Sequence, residues 1–203
     1  MEAPRRKMNL FYRTLVSSWV LSSFAEGVIL PIYAIFVQHI GGGILDAGWA
    51  MGIFLITEGL FTALVHRGRY HPRTRIALMI AGWAIWLGGV CFYLFIANIW
   101  TLFIAQAVIA IGNAVADPVF DEELADHTDR GLKEYEWGIW EGSRSVVDGI
   151  AAILGALVAA VFGFRALVYL MVFTATASFF LILWYAHHLR RMRILHGFAQ
   201  IRA

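Results

Sequence analysis

Apolar residues run through this sequence in six blocks of roughly twenty, each bounded by charged or turn-forming residues. A hydrocarbon core about 30 Å thick needs about 20 helical residues at 1.5 Å each, so every block predicts a membrane-spanning helix. The predicted spans are residues 12–37, 45–65, 75–97, 101–120, 137–161 and 166–185. All the connectors are short, and none has room for a soluble domain. The first block exceeds the apolar length of a secretion signal and no small-residue cleavage site follows it, so it is expected to stay as a span.

Composition agrees. Hydrophobic residues make up 60% of the 203 positions and charged ones 15%, with a mean hydropathy of +0.69, which excludes an ordinary soluble domain. Sixteen basic residues nearly balance fourteen acidic ones and lie in short blocks, so nucleic acid is not an expected partner. One cysteine, Cys91, excludes an intrachain disulfide and a cysteine-rich metal site. No metal or cofactor is expected from the His spacing or the glycine pattern.

Fourteen of the sixteen Lys and Arg residues fall on one side of this layout: Arg5, Arg6, Lys7 and Arg13; Arg67, Arg69, Arg73 and Arg75; Arg130 and Lys133; and Arg190, Arg191, Arg193 and Arg202. The positive-inside rule then places both termini in the cytoplasm, in a cell (inner or plasma) membrane. Arg165 lies opposite, and Arg144 lies within the fifth span. Trp49 and Trp100 are expected at the outer interface, with Trp137, Trp140, Trp184 and Tyr185 at the inner one.

Transporters are often built from inverted repeats, and one echo supports a 3+3 division. Residues 26–33 (Glu26 to Tyr33) align with 113–120 (Asn113 to Phe120), matching Pro31 to Pro118 and a polar residue five positions before each. The prolines predict a kink in spans one and four.

Ionisable side chains within hydrocarbon cost several kcal/mol unless paired, neutralised or hydrated. Glu26 lies mid-way along span one, Glu58 in span two, Asp117 near the end of span four, and Glu141, Arg144 and Asp148 along span five. The last three share a helix stripe, on which Arg144 can bridge both acids. That leaves Glu26, Glu58 and Asp117 needing a contact from another helix, a wet cavity or a bound proton. Gln106 and Asn113 share the Asp117 face, and Ser22 and Tyr33 share the Glu26 face, so the two faces are expected to line one cavity. Gly52 and Gly59, like Gly142, Gly149 and Gly155, are expected to allow close helix approach.

With these features in place, the chain resembles the N-terminal half of a major facilitator superfamily transporter. The resemblance is carried by Ile111-Gly112-Asn113-Ala114 through Pro118 to Glu122-Glu123-Leu124-Ala125-Asp126, then Arg130-Gly131 and Gly163-Phe164-Arg165. It departs from the family pattern after span two, where Thr62 and His66 stand in place of the usual Gly and Asp, leaving Arg67 as the basic residue. Gln106 replaces an arginine found in proton-linked members, and span five lacks a Gly-Pro pair. The resemblance implies that Arg67 pairs with Asp126 as a cytoplasmic latch.

The expected fold is therefore an all-α membrane protein of six helices, a single bundle equal to half of such a transporter. Its expected function is secondary active transport of a small solute by alternating access, as a C2 homodimer with a proton as the coupling ion. Glu26, Tyr33, Gln106, Asn113, Glu58 and Asp117 are the expected solute and proton residues, with Arg67, Asp126, Glu141, Arg144 and Asp148 at the cytoplasmic gate. The alternative is a non-transporting assembly subunit that pairs with another half. An intramembrane enzyme using Asp117 with Asp121 or His66 is the remaining alternative, disfavoured because no nucleophile or metal set accompanies the acids.

Overall fold

A computed structural model describes residues 10–68, 70–128 and 133–201. Arg5, Arg6, Lys7, Arg69, Arg130 and Arg202 lie outside the described residues, as do the side chains of Lys133, Arg190 and Arg193.

All the regular secondary structure among the described residues is helical. Helix α1 covers Leu10–Gly27 and α2 Tyr33–His39, joined by a 3-10 turn at Leu30–Ile32. Helices α3 (Ile44–Val65), α4 (Pro72–Phe92), α5 (Ile99–Asp126) and α6 (Lys133–Ile201) follow. Polar caps set the starts. Asp46 accepts from the Gly43 N–H at 2.7 Å, His71 accepts from the Arg73 N–H ahead of α4, and Asn98 and Thr101 exchange side-chain to backbone bonds at the head of α5.

Five stretches are long and apolar enough to cross a membrane: Leu10–His39, Ile44–Val65, Arg73–Phe95, Ile99–Asp126 and Glu134–Leu189. The last would rise about 84 Å as one rod, far beyond any bilayer. It is not one rod. At φ 81°, ψ 171°, Gly163 turns the chain in a conformation that side-chain-bearing residues rarely adopt, and splits α6 into limbs 133–162 and 164–201.

The two prolines behave differently. Pro31 ends α1 and forces the 3-10 turn, whereas Pro118 is absorbed inside a continuous α5. The paired kinks expected from the sequence echo therefore reduce to one. Helix α5 also runs on to Asp126, six residues past the predicted span end, so Asp121, Glu122 and Glu123 are helical rather than in a loop.

Helix α1 packs on α6, α4 on α5, and α3 on α5, around one contiguous apolar core. Glycine sets two of these contacts. A Cβ at Gly112 would meet the backbone of Trp86 on α4, and one at Gly155 would meet the Val28 carbonyl where α1 breaks. The other glycines expected to pack closely, Gly52, Gly59, Gly142 and Gly149, face open space. Gly112→Ala is accordingly expected to lower the Tm in detergent by about 5 °C, through overpacking worth about 1–3 kcal/mol. Gly88→Ala, on an exposed face of α4 with nothing to strike and better helix propensity, is expected to leave the Tm unchanged or raise it slightly.

Candidate functional site: an acidic cavity walled by tryptophan

Helix α3 and the first limb of α6 are the least buried elements of the bundle. On α3, Ala50 is the one fully buried residue, while Leu55, Ile56, Leu60 and Leu64 are exposed. Between these two helices lies a trough of about 430 Å³, with α1, α4 and α5 forming its floor. It runs from mid-bundle toward the end that carries the 66–71 connection.

Each helix contributes through a simple repeat. Trp19, Ser22, Ser23 and Glu26 from α1 recur at i, i+3, i+4 and i+7, the spacing that lines one helix face. Trp137, Trp140, Glu141 and Arg144 repeat that spacing on α6. Helix α3 supplies Phe54 and Glu58, α4 supplies Trp83 and Trp86, and α5 supplies Asn113, Asp117 and Asp121.

Glu26 is held rather than loose. The Trp86 indole N–H donates to its Oε1 at 2.5 Å, and Asn113 reaches the same carboxylate. Trp83 is fixed in turn by donating to Ser178 at 3.1 Å, and Ser178 donates to the Ser18 carbonyl at 2.6 Å. Trp19 sits edge-on to Trp140 with ring centres 5.1 Å apart and lies 5.0 Å from Phe120. These contacts make the aromatic wall rigid.

Of the six residues expected to hold solute and protons, Glu26, Glu58, Asn113 and Asp117 come together in this trough. Tyr33 and Gln106 do not. They meet each other, Gln106 Nε2 donating to Tyr33 Oη at 2.6 Å, in an adjoining cavity of about 210 Å³ that also touches Glu26. Glu26 thus stands between the two chambers. A cleft of about 580 Å³ at the opposite end of the bundle holds His39 and Arg165 among aromatic residues and no carboxylate.

The expected gate residues are arranged differently from their sequence pattern. Asp126 pairs with Arg75 at 2.8 Å, not with Arg67, which is exposed. Arg75 is 10% exposed and also meets Glu122 at 2.6 Å and Glu123 at 3.2 Å. Buried Glu123 takes a further bond from Tyr185 at 2.8 Å. Arg67 sits too far down the connection for this role because α4 begins at Pro72 and carries Arg75 inward one turn later.

Among the described residues, the ion pairs within 4 Å are those of Arg75. Arg144 therefore does not bridge Glu141 and Asp148. Its guanidinium carbon lies 6.0 Å from the Trp19 ring centre, from where its charge acts on Asp117, Asp121 and Asp148. Reaching across to α1 replaces the two short bonds along its own helix.

Several site residues escaped the sequence reading. Asp121 was expected in a loop, and Trp137 and Trp140 at a membrane interface. Trp140 is instead 3% exposed and packed inside, and Tyr185, expected at the same interface, is fully buried. The legible signal was the shared i, i+3, i+4, i+7 stripe on two helices.

The family model described as Major Facilitator Superfamily matches residues 15–194, nearly the whole chain. The chain belongs to the major facilitator superfamily. It is also similar to an uncharacterized MFS-type transporter, YitZ, of Bacillus subtilis (strain 168), with 24% identity over 149 residues that make up 72% of this chain and 88% of the relative. Membership of this superfamily makes the chain a multi-pass membrane protein of a transporter family, whose apolar exposed faces meet lipid and whose members bind small solutes. The trough gathers carboxylates, a guanidinium and five tryptophans around one volume.

Proposed function

We propose that the chain is a half-sized secondary active transporter that moves a small solute by alternating access as a homodimer, with protons as the coupling ion. The bundle counts six spans, the break at Gly163 dividing the last long stretch in two, arranged as a 3+3 repeat with both termini in the cytoplasm of an inner or plasma membrane. The observation that carries the reading is the trough, whose five carboxylates sit on helices long and apolar enough to cross a membrane, in a superfamily of transporters. Carboxylates within hydrocarbon are costly unless they border water or carry protons.

The dimer rests on the two helices flanking the trough. Gly48, Gly52 and Gly59 on α3, and Gly138, Gly142 and Gly149 on α6, have the same four-then-seven spacing, and none has a neighbour within its own bundle. On a helix of 3.6 residues per turn, each set stays within roughly 40° of one line, a smooth track for another helix. A two-fold axis along the membrane normal would lay each track on the other copy's partner track and close trough against trough. The relative from B. subtilis is itself short, since the 149 matched residues are 88% of it.

Cysteine crosslinking tests the assembly. In a Cys91→Ser background, Gly52→Cys with Gly142→Cys is expected to give a disulfide-linked dimer in membranes within minutes of mild oxidation. A chain that stays monomeric in membranes and in detergent would overturn the homodimer. Crosslinking to a different bundle instead would favour the assembly-subunit reading, in which the same open faces seat another protein.

A further inference from the structure

The trough has a chemical bias that goes beyond wetness. Five carboxylates, from Glu26, Glu58, Asp117, Asp121 and Glu141, face one guanidinium, from Arg144. Five tryptophans line the same space. An excess of acids in a low-dielectric cleft focuses a negative potential. Indole faces attract cations, most strongly where water is excluded. A volume of about 430 Å³ suits an organic molecule rather than a bare ion. Among the described residues, moreover, no group of three His, Cys, Asp or Glu side chains is placed to hold a metal ion.

The protein already shows what such a cavity attracts. Arg144 is exposed on its own helix, yet its guanidinium is directed at the Trp19 ring and toward acids on α5. A planar, weakly hydrated cation over an indole, with carboxylates beyond it, is the pose expected of an organic cation ligand.

We propose that the trough binds an organic cation, a quaternary or protonated amine or a phosphonium, and that Arg144 is a tethered occupant of that place which the arriving cation displaces. The assignment rests on the transport reading for the choice of cavity and deepens it by naming the solute class. Displacement keeps the charge over the indole constant: one cation leaves that face as another arrives, and the released guanidinium swings toward Glu141, which shares its helix and the wall of the trough. Arg144 would then report occupancy of the trough to the helix that flanks it.

Tetraphenylphosphonium and tetraphenylborate share shape and apolar surface and differ in sign of charge. Equilibrium dialysis against the purified chain in lipid nanodiscs, with empty nanodiscs subtracted, is expected to show saturable binding of the cation and none of the anion. Arg144→Gln removes the internal competitor and should tighten cation binding about tenfold. Trp19→Ala and Asp121→Asn should each weaken it about tenfold. Equal or tighter binding of tetraphenylborate, or weaker cation binding by Arg144→Gln, would overturn the assignment. Should Arg144→Gln fail to fold, the sign preference of the wild-type chain and the tenfold weaker cation binding of Asp121→Asn decide the matter. Saturable cation binding with no uptake by proteoliposomes would keep the assignment and remove the transport reading. Uptake of a neutral or anionic solute with no cation binding would do the reverse.

Discussion

Replacing Arg75 by methionine is expected to destabilise the bundle by about 3 kcal/mol or more, lowering the Tm in detergent by about 10 °C. Among the described residues, Arg75 is the one cation within ion-pair distance of Glu122, Glu123 and Asp126. The two outer acids are more than half exposed and lose little when it goes. Glu123 is different: it is 1% exposed, and without the guanidinium its carboxylate keeps, among the described residues, the bond from Tyr185. Removing one partner of a buried charge costs more than the pair contributes, so the large effect belongs to Glu123. Glu123→Gln in the Arg75→Met background should recover at least half of the lost Tm, because a neutral amide still accepts from Tyr185. An unchanged Tm in the single variant, or no recovery in the double, would show that Arg75 does not neutralise a buried acid.

Glu26→Gln is expected to cut solute uptake driven by a proton gradient in proteoliposomes by about a hundredfold, while exchange of solute between the two sides at equal pH persists. The amide keeps an oxygen in place to accept from the Trp86 indole, so the wall of the trough survives the change. What is lost is the capacity to carry a proton at the point where the two chambers meet. Proton-driven uptake that survives at the wild-type rate would remove Glu26 from the coupling step. A Tm equal to wild type is part of the expectation, and it separates this loss from misfolding.

The helices were legible because the bilayer imposes a length that apolar runs must meet. Residues 45–65 and the α3 bounds differ by one residue. The end of span four was misplaced because charge was read as water: Glu122, Glu123 and Asp126 suit a helix, and it continues through them. Pro31 and Pro118 look alike in sequence, and nothing local tells which will break its helix.

For the site, acids inside apolar runs were easy to find, since each is expensive on its own account, whereas the buried Glu123 was not singled out. Direction was harder. A long arginine side chain has several carboxylates in reach, and only the packing of α1 beside α6 sends Arg144 to Trp19 rather than along its own helix. Likewise Asp126 took Arg75 over Arg67 because of where α4 starts, a fact set by Pro72 and the His71 cap. Tryptophan near a helix end carries two meanings, interface anchor and cavity wall. The i, i+3, i+4, i+7 stripe shared with Glu141 and Arg144 separates them for Trp137 and Trp140.

The cluster around Arg75 ties together α4, α5 and the second limb of α6, all parts of a single bundle. A clasp fastened entirely within one rigid body travels with that body when it tilts and is never pulled open by the movement. Its charges are committed to keeping three rods in step. In the proposed homodimer, a catch that closes one copy against the other would therefore draw on side chains this knot leaves unclaimed, such as the exposed Arg67 and Arg73.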